Sequence, residues 1–229
     1  MKKNRVLNFT QAINEAQYQA MKLDKSVFVY GLGADKTSHV FSTTLNLKKK
    51  FGKNRVFDTP ASEQALTMFA AGSANAGMRP ILIHQRVDFM VYTFDQLVNW
   101  IALWSFKSAG KSSMPLVIRA IVGKGWGQGS QHAKTLHSMF AHVPGLKVII
   151  PSSPSEAKGL LLSSIFSNDP VIFIEYRSLY NTKENVLEKP YFINIDEPNI
   201  VKSGKDITIV SIGSGVLECI RANNILSKE

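Results

Sequence analysis

The sequence predicts an α/β fold, a doubly wound and mainly parallel sheet with helices on both faces. Two observations predict it. Short, nearly continuous apolar runs alternate with segments of helical periodicity, and most runs end in glycine or polar residues. Strands that are apolar on both faces belong in a parallel sheet, because crossover helices cover both of its sides. With 229 residues and 45% hydrophobic content, the chain can fill the core such a sheet needs.

The elements follow in order. Residues 7–23 set Ala12, Ile13, Ala16, Ala20 and Leu23 on one helical face. Residues 26–33 (SVFVYGLG) form a strand ending in glycines, 43–51 a helix, and 55–58 a brief strand. A helix over 63–77, a strand over 79–84 and a helix over 94–108 come next, followed by a buried strand over 114–122. Residues 146–151, 154–167 and 170–176 read as strand, helix and strand. The polar, proline-bearing stretch 178–206 reads as a long connection. After it, DITIVSIGSG and VLECIRANNIL predict a fresh strand, glycine turn and helix. These last residues cannot bury their own faces and suggest the start of a second α/β domain.

Composition narrows the class. A net charge of +10 raises a nucleic-acid partner, but the basic residues are scattered. Only residues 46–55 are dense in them, and there cations suit a helix end. No nucleic-acid role is expected. The apolar stretch 97–106 is too short to span a bilayer, and the basic start lacks a signal-peptide apolar run, so no membrane role is expected and the location reads as cytoplasmic. A single cysteine, Cys219, excludes a disulfide framework.

Few residues carry chemistry on spacing alone. The five histidines, at 39, 84, 132, 137 and 142, include no pair at metal-ligand spacing beside a carboxylate, so no metal is expected on this chain. His142 reads as a helix-end residue. There is no Gly-x-Ser-x-Gly elbow for a nucleophile. The run GKGWGQGSQH (123–132) lies at the carboxyl end of a buried strand, where parallel sheets bind ligands. Its spacing is neither a dinucleotide fingerprint nor a P-loop, since Lys124 lies inside the run. It reads equally as a site loop delivering His132 or as a plain glycine loop. HQRVDF (84–89) puts His84, Gln85 and Arg86 at the same sheet edge. Glu63, in TPASEQAL, is either a first-turn helix acid or a catalytic carboxyl.

Four stretches carry a resemblance. They are RVFDTPASEQALTMFAAGSANAGMRPI, DFMVYTFDQLVN, GQGSQHAKTLHSMFAHVPGLKVIIPSSPSEAKGLL and DPVIFIEYRSLY. In order and spacing they resemble the beta subunit of the thiamine-diphosphate-dependent decarboxylase component of 2-oxo acid dehydrogenases, a transketolase-like pyrimidine-binding domain. The resemblance implies such a domain over residues 1–180, a linker over 181–205, and over 206–229 the incomplete beginning of a transketolase C-terminal-type domain.

It also implies roles. Glu63 would hydrogen-bond the aminopyrimidine of thiamine diphosphate, favouring the imino tautomer that deprotonates the thiazolium carbon. Phe89 would stack on that ring, with Ala61, Gln85 and Tyr92 lining its pocket. His132 would assist substrate binding and acyl transfer. Where acyl-transferring subunits usually carry apolar and aromatic residues, this chain has His84, Gln85 and Arg86. His84 and Arg86 become substrate candidates, and a hydroxylated or anionic substrate would suit them. Ketol transfer between sugars is therefore the alternative reaction. A silent assembly subunit is a further alternative, one expected to lose Glu63. The family's Gly-Asp-Gly motif for diphosphate and magnesium is missing here. The resemblance thus implies an alpha-type subunit supplying that site, a dimer or heterotetramer, and a lipoyl-bearing acyltransferase as acceptor.

Overall fold

The computed structural model describes residues 5–35, 39–123, 125 and 127–227; Lys124 and the side chain of His39, both named above, lie outside them. In chain order the strands are β1 (Val6–Asn8), β2 (Val27–Gly31), β3 (Val56–Phe57), β4 (Arg79–His84), β5 (Val117–Val122), β6 (Lys147–Ile149), β7 (Val171–Tyr176) and β8 (Lys183–Asn185). Six of them form one sheet, ordered β3-β2-β4-β5-β7-β6, with every pairing parallel. The predicted α/β fold is borne out.

Helices cover both faces, and strand register says which. The helices are α1 (Phe9–Leu23), α2 (Leu47–Phe51), α3 (Glu63–Asn75), α4 (Val87–Met90), α5 (Trp104–Lys107), α6 (His137–Ala141), α7 (Pro154–Phe166) and α8 (Ser214–Leu226). Ile83 of β4 pairs with Arg119 of β5, and Arg119 reaches Gln17 of α1 at 2.9 Å. The next pair, His84 and Ala120, faces the other way, where His84 meets Thr67 of α3. Tyr30 of β2 also donates to Leu66 O of α3 at 2.6 Å. One face thus carries α1, which packs on α7, and the opposite face carries α3.

Several boundaries differ from the sequence reading. Helix α1 starts at Phe9 because Asn8 accepts from the Gln11 amide at 2.8 Å while Gln11 returns a bond to Asn8, a capping box. The residues ahead of it, β1, pair antiparallel with β8. The helix predicted over 43–51 shrinks to α2, after residues 40–42 and Asn46 adopt positive φ. The single helix predicted over 94–108 is a chain of short turns running from Val87 to Lys107, including a π-helix over Gln96–Ile101. There the Ala102 amide bonds Leu97 O, one residue further back than an α-helix would allow.

Residues 178–206 run largely without helix or strand, as a connection does, and they also pack on the sheet's helices. Beyond supplying β8, this stretch covers α7: Lys158 is fully buried and its Nζ bonds the carbonyls of Leu187, Glu188 and Lys189 at 2.5, 3.0 and 3.2 Å. The fresh strand expected in 206–212 does not form. Ile207 and Val210 are 77% and 89% exposed, and without a neighbouring edge to pair with, an apolar run has no ladder to join. Helix α8 does form, but it buries no residue.

Candidate active site

The strand order fixes where a ligand belongs. From β2 the chain moves outward to β3, then returns past β2 to β4. The crevice between the carboxyl ends of β2 and β4 is therefore the switch point at which open parallel sheets bind. The proposed site residues lie at or after the carboxyl ends of β3, β4 and β5. Gly31 ends β2 with φ +143°, and a Cβ there would sit 2.4 Å from Ile83 O. Only glycine lets the two strands close up at this point.

Hydrogen bonds tie the loops above the crevice together. Asp58, after β3, accepts from the Gly33 amide and from the Thr59 amide at 2.9 Å. Gln85, after β4, donates to Leu32 O at 2.9 Å. Arg86 donates to its neighbour's carbonyl at 2.6 Å and to Gln128 in the glycine loop at 2.5 Å. A Cβ on Gly123 would meet His132 O at 2.4 Å, so the loop folds back across its own start only because that residue is glycine.

The predicted site residues separate into groups. Phe89 and His132 come together, ring centroids 5.3 Å apart and planes at 84°, an edge-to-face contact. Tyr92, 62% exposed, lines an open groove with Phe89, Asp88, Gln131 and Lys134. Glu63 is the first residue of α3 and half-buried, and Ala61 just before it is exposed. Among the described residues, no hydrogen bond or ring contact joins Glu63 to Phe89 or His132. His84 does not reach the surface. It is 4% exposed, its Nε2 lies 3.4 Å from Thr67 Oγ1, and burial pushes its pKa down to about 4. Arg86, 7% exposed, runs along the Phe41 ring at 5.3 Å, and burial lowers its pKa.

Asp88 was missed in the sequence. Its Oδ1 accepts from the Lys134 amide at 3.1 Å and lies 3.5 Å from Lys134 Nζ, while its buried Oδ2 has no hydrogen-bond partner among the described residues. An acidic residue between Val87 and Phe89 reads as a first-turn acid, and nothing local signals its burial. Also among the described residues, no group of three or more His, Cys, Asp or Glu side chains converges to hold a metal ion, and no helix is long and apolar enough to cross a membrane.

The family model for the transketolase pyrimidine-binding domain matches residues 5–183. The chain belongs to that family. It is 41% identical over 224 residues to the pyruvate dehydrogenase E1 component subunit beta of Staphylococcus epidermidis, covering 97% of this chain and 69% of that protein. The Staphylococcus aureus counterpart is 40% identical over the same extent. The chain is thus a beta-type subunit of a thiamine-diphosphate-dependent 2-oxo acid dehydrogenase component. Two solved structures share the fold. A split-gene transketolase, an inactive beta4 tetramer, superposes with a TM-score of 0.75 at 19% identity, covering 97% of this chain and 68% of that one. Campylobacter jejuni transketolase gives the same TM-score at 18% identity, covering 99% of this chain and 34% of its own.

Proposed function

We propose that this chain forms the pyrimidine-side half of a thiamine diphosphate site and that an alpha-type subunit holds the diphosphate with magnesium. The observation that carries the proposal is the set of residues after β3, β4 and β5: one half-buried carboxyl at a helix start, an aromatic ring, and an imidazole in edge-to-face contact with that ring. This set suits a flat aminopyrimidine. A diphosphate would instead call for clustered cations or a metal. When bound, the cofactor supplies the nucleophilic carbon that attacks a 2-oxo acid.

The chain's own residues then have defined tasks. Glu63 exchanges a hydrogen bond and a proton with the aminopyrimidine ring. Phe89 stacks on that ring, while Ala61, Gln85 and Tyr92 close its pocket. His132 orients the substrate and assists acyl transfer to a lipoyl-bearing acyltransferase. Pyruvate is the first substrate to try, given the Staphylococcus relatives. The polar triplet that suggested a sugar substrate loses much of its force, since His84 and Arg86 are buried and engaged within the chain. The exposed apolar residues of 206–212 and helix α8, which buries no residue, suit the start of a second α/β domain.

The test is Glu63→Gln in the enzyme assembled with its alpha-type partner. Gln keeps size and hydrogen bonding but cannot exchange the proton. Decarboxylation of 2-oxo acids should fall by about a hundred- to ten-thousand-fold. The thermal midpoint should barely change, because a helix-start Glu contributes only about 0.3–1 kcal/mol. Full activity with a lowered midpoint would make Glu63 a helix acid and nothing more.

A further inference from the structure

We infer that Asp88 is a positioning residue, holding His132 in its edge-to-face contact with Phe89 by anchoring the loop two residues beyond it. The inference rests on the reading of His132 given above. Three observations meet here. Asp88 is adjacent to Phe89 on α4, the turn that follows β4, and both line the groove with Gln131 and Lys134. Its Oδ1 takes the Lys134 amide at 3.1 Å and lies 3.5 Å from the ammonium of the same residue. His132 meets the Phe89 ring edge-to-face, 5.3 Å between centroids. The carboxylate therefore ties the loop after β5 to the turn after β4.

The chain around His132 needs that tie. His132 ends a short 3-10 turn, Ser130–His132, with no side-chain cap, and it is only half-buried. A turn this short does not hold itself, because it closes few backbone bonds for the residues it fixes. The remaining Asp88 oxygen, Oδ2, is buried and has no hydrogen-bond partner among the described residues. The Asp88 side chain is only 2% exposed, so the carboxylate is sequestered from solvent and acts on His132 through the backbone it holds.

The first test uses the full chain and needs no cofactor. In the wild-type chain the Lys134 amide should exchange with solvent about tenfold more slowly than its loop neighbours, in keeping with one hydrogen bond to a carboxylate. A Phe89–His132 ring-proton Overhauser contact should be present. In Asp88→Ala both should vanish, and in Asp88→Asn, which keeps an acceptor, the ring contact should persist. A Lys134 amide exchanging as fast as its neighbours in the wild type, or a ring contact that survives in Asp88→Ala, overturns the proposal. Should Asp88→Ala fail to fold, the wild-type exchange rate decides.

A second arm separates this idea from the role given to His132. In the assembled enzyme Asp88→Ala should lower turnover about ten- to a hundred-fold, the cost of a misplaced group. The double variant Asp88→Ala/His132→Ala should be no slower than His132→Ala alone, because the first residue acts through the second. Additive losses would overturn the positioning role. Full activity of His132→Ala would instead overturn the reading of His132, leaving the exchange and ring-contact measurements to decide the anchoring.

Discussion

At neutral pH the His84 imidazole is uncharged, because burial under α3 pushes its pKa down to about 4. In the unfolded chain its ordinary value is about 6.5. The sign follows: below about pH 6.5 the unfolded chain takes up a proton that the native chain refuses, so stability is full above that pH and lost as pH falls toward 4. The loss attributable to His84 should approach about 3 kcal/mol by pH 4, of the order set by 1.36 kcal/mol per unit. Urea midpoints at pH 7 and pH 4.5 for the wild type and His84→Gln check this. The variant should show a smaller drop, and equal drops would remove His84 as the source. At this scale Glu63 was legible, since a Ser-Glu pair before an apolar run marks a helix start, and α3 begins at Glu63. The setting of His84 was not. Whether a polar residue at a strand end faces solvent or a neighbouring helix depends on packing, which local pattern does not encode.

The central strands were legible as elements, but not their most unusual content. Arg119 of β5 and Glu175 of β7 are fully buried and paired at 2.5 and 2.9 Å. Gln17 of α1 and Thr43 accept from the same guanidinium at 2.9 and 3.0 Å, and Tyr180 donates to Glu175 at 2.8 Å. Burial raises the Tyr180 pKa, so its phenol keeps the proton it donates. This network fastens α1 and the loop carrying Thr43 onto the sheet. Arg119→Met should cost about 3–5 kcal/mol by leaving Glu175 charged and unpaired, whereas Arg119→Met/Glu175→Met should recover much of it. Denaturant unfolding measures both. A double variant no more stable than the single one would show that the network's other bonds, not the pair, carry the energy. Strand β4 matched its predicted bounds because six residues bounded by a glycine-containing turn and a polar run leave little choice. The segment from Val87 to Lys107 was misread because a π-turn changes the period from which a helix is recognised. The run 206–212 was misread because strand-like residues make a strand only beside a partner edge.

At the scale of the molecule, the parallel sheet gathers its loops at one end, with Glu63 after β3, Phe89 after β4 and His132 after β5. The absence of a Gly-Asp-Gly motif was legible in the sequence, and the proposal gives this chain the heterocycle end of the cofactor. The division of labour between two subunits is the central claim. It is tested most directly by titrating thiamine diphosphate with magnesium into the isolated chain in a calorimeter, then into the chain joined with its alpha-type partner. A half-site predicts little or no heat from the isolated chain, because one aromatic face and one carboxyl cannot offset the freedom the ligand loses on binding. With the partner present, tight and magnesium-dependent binding should appear. Sub-micromolar binding by the isolated chain would contradict the account.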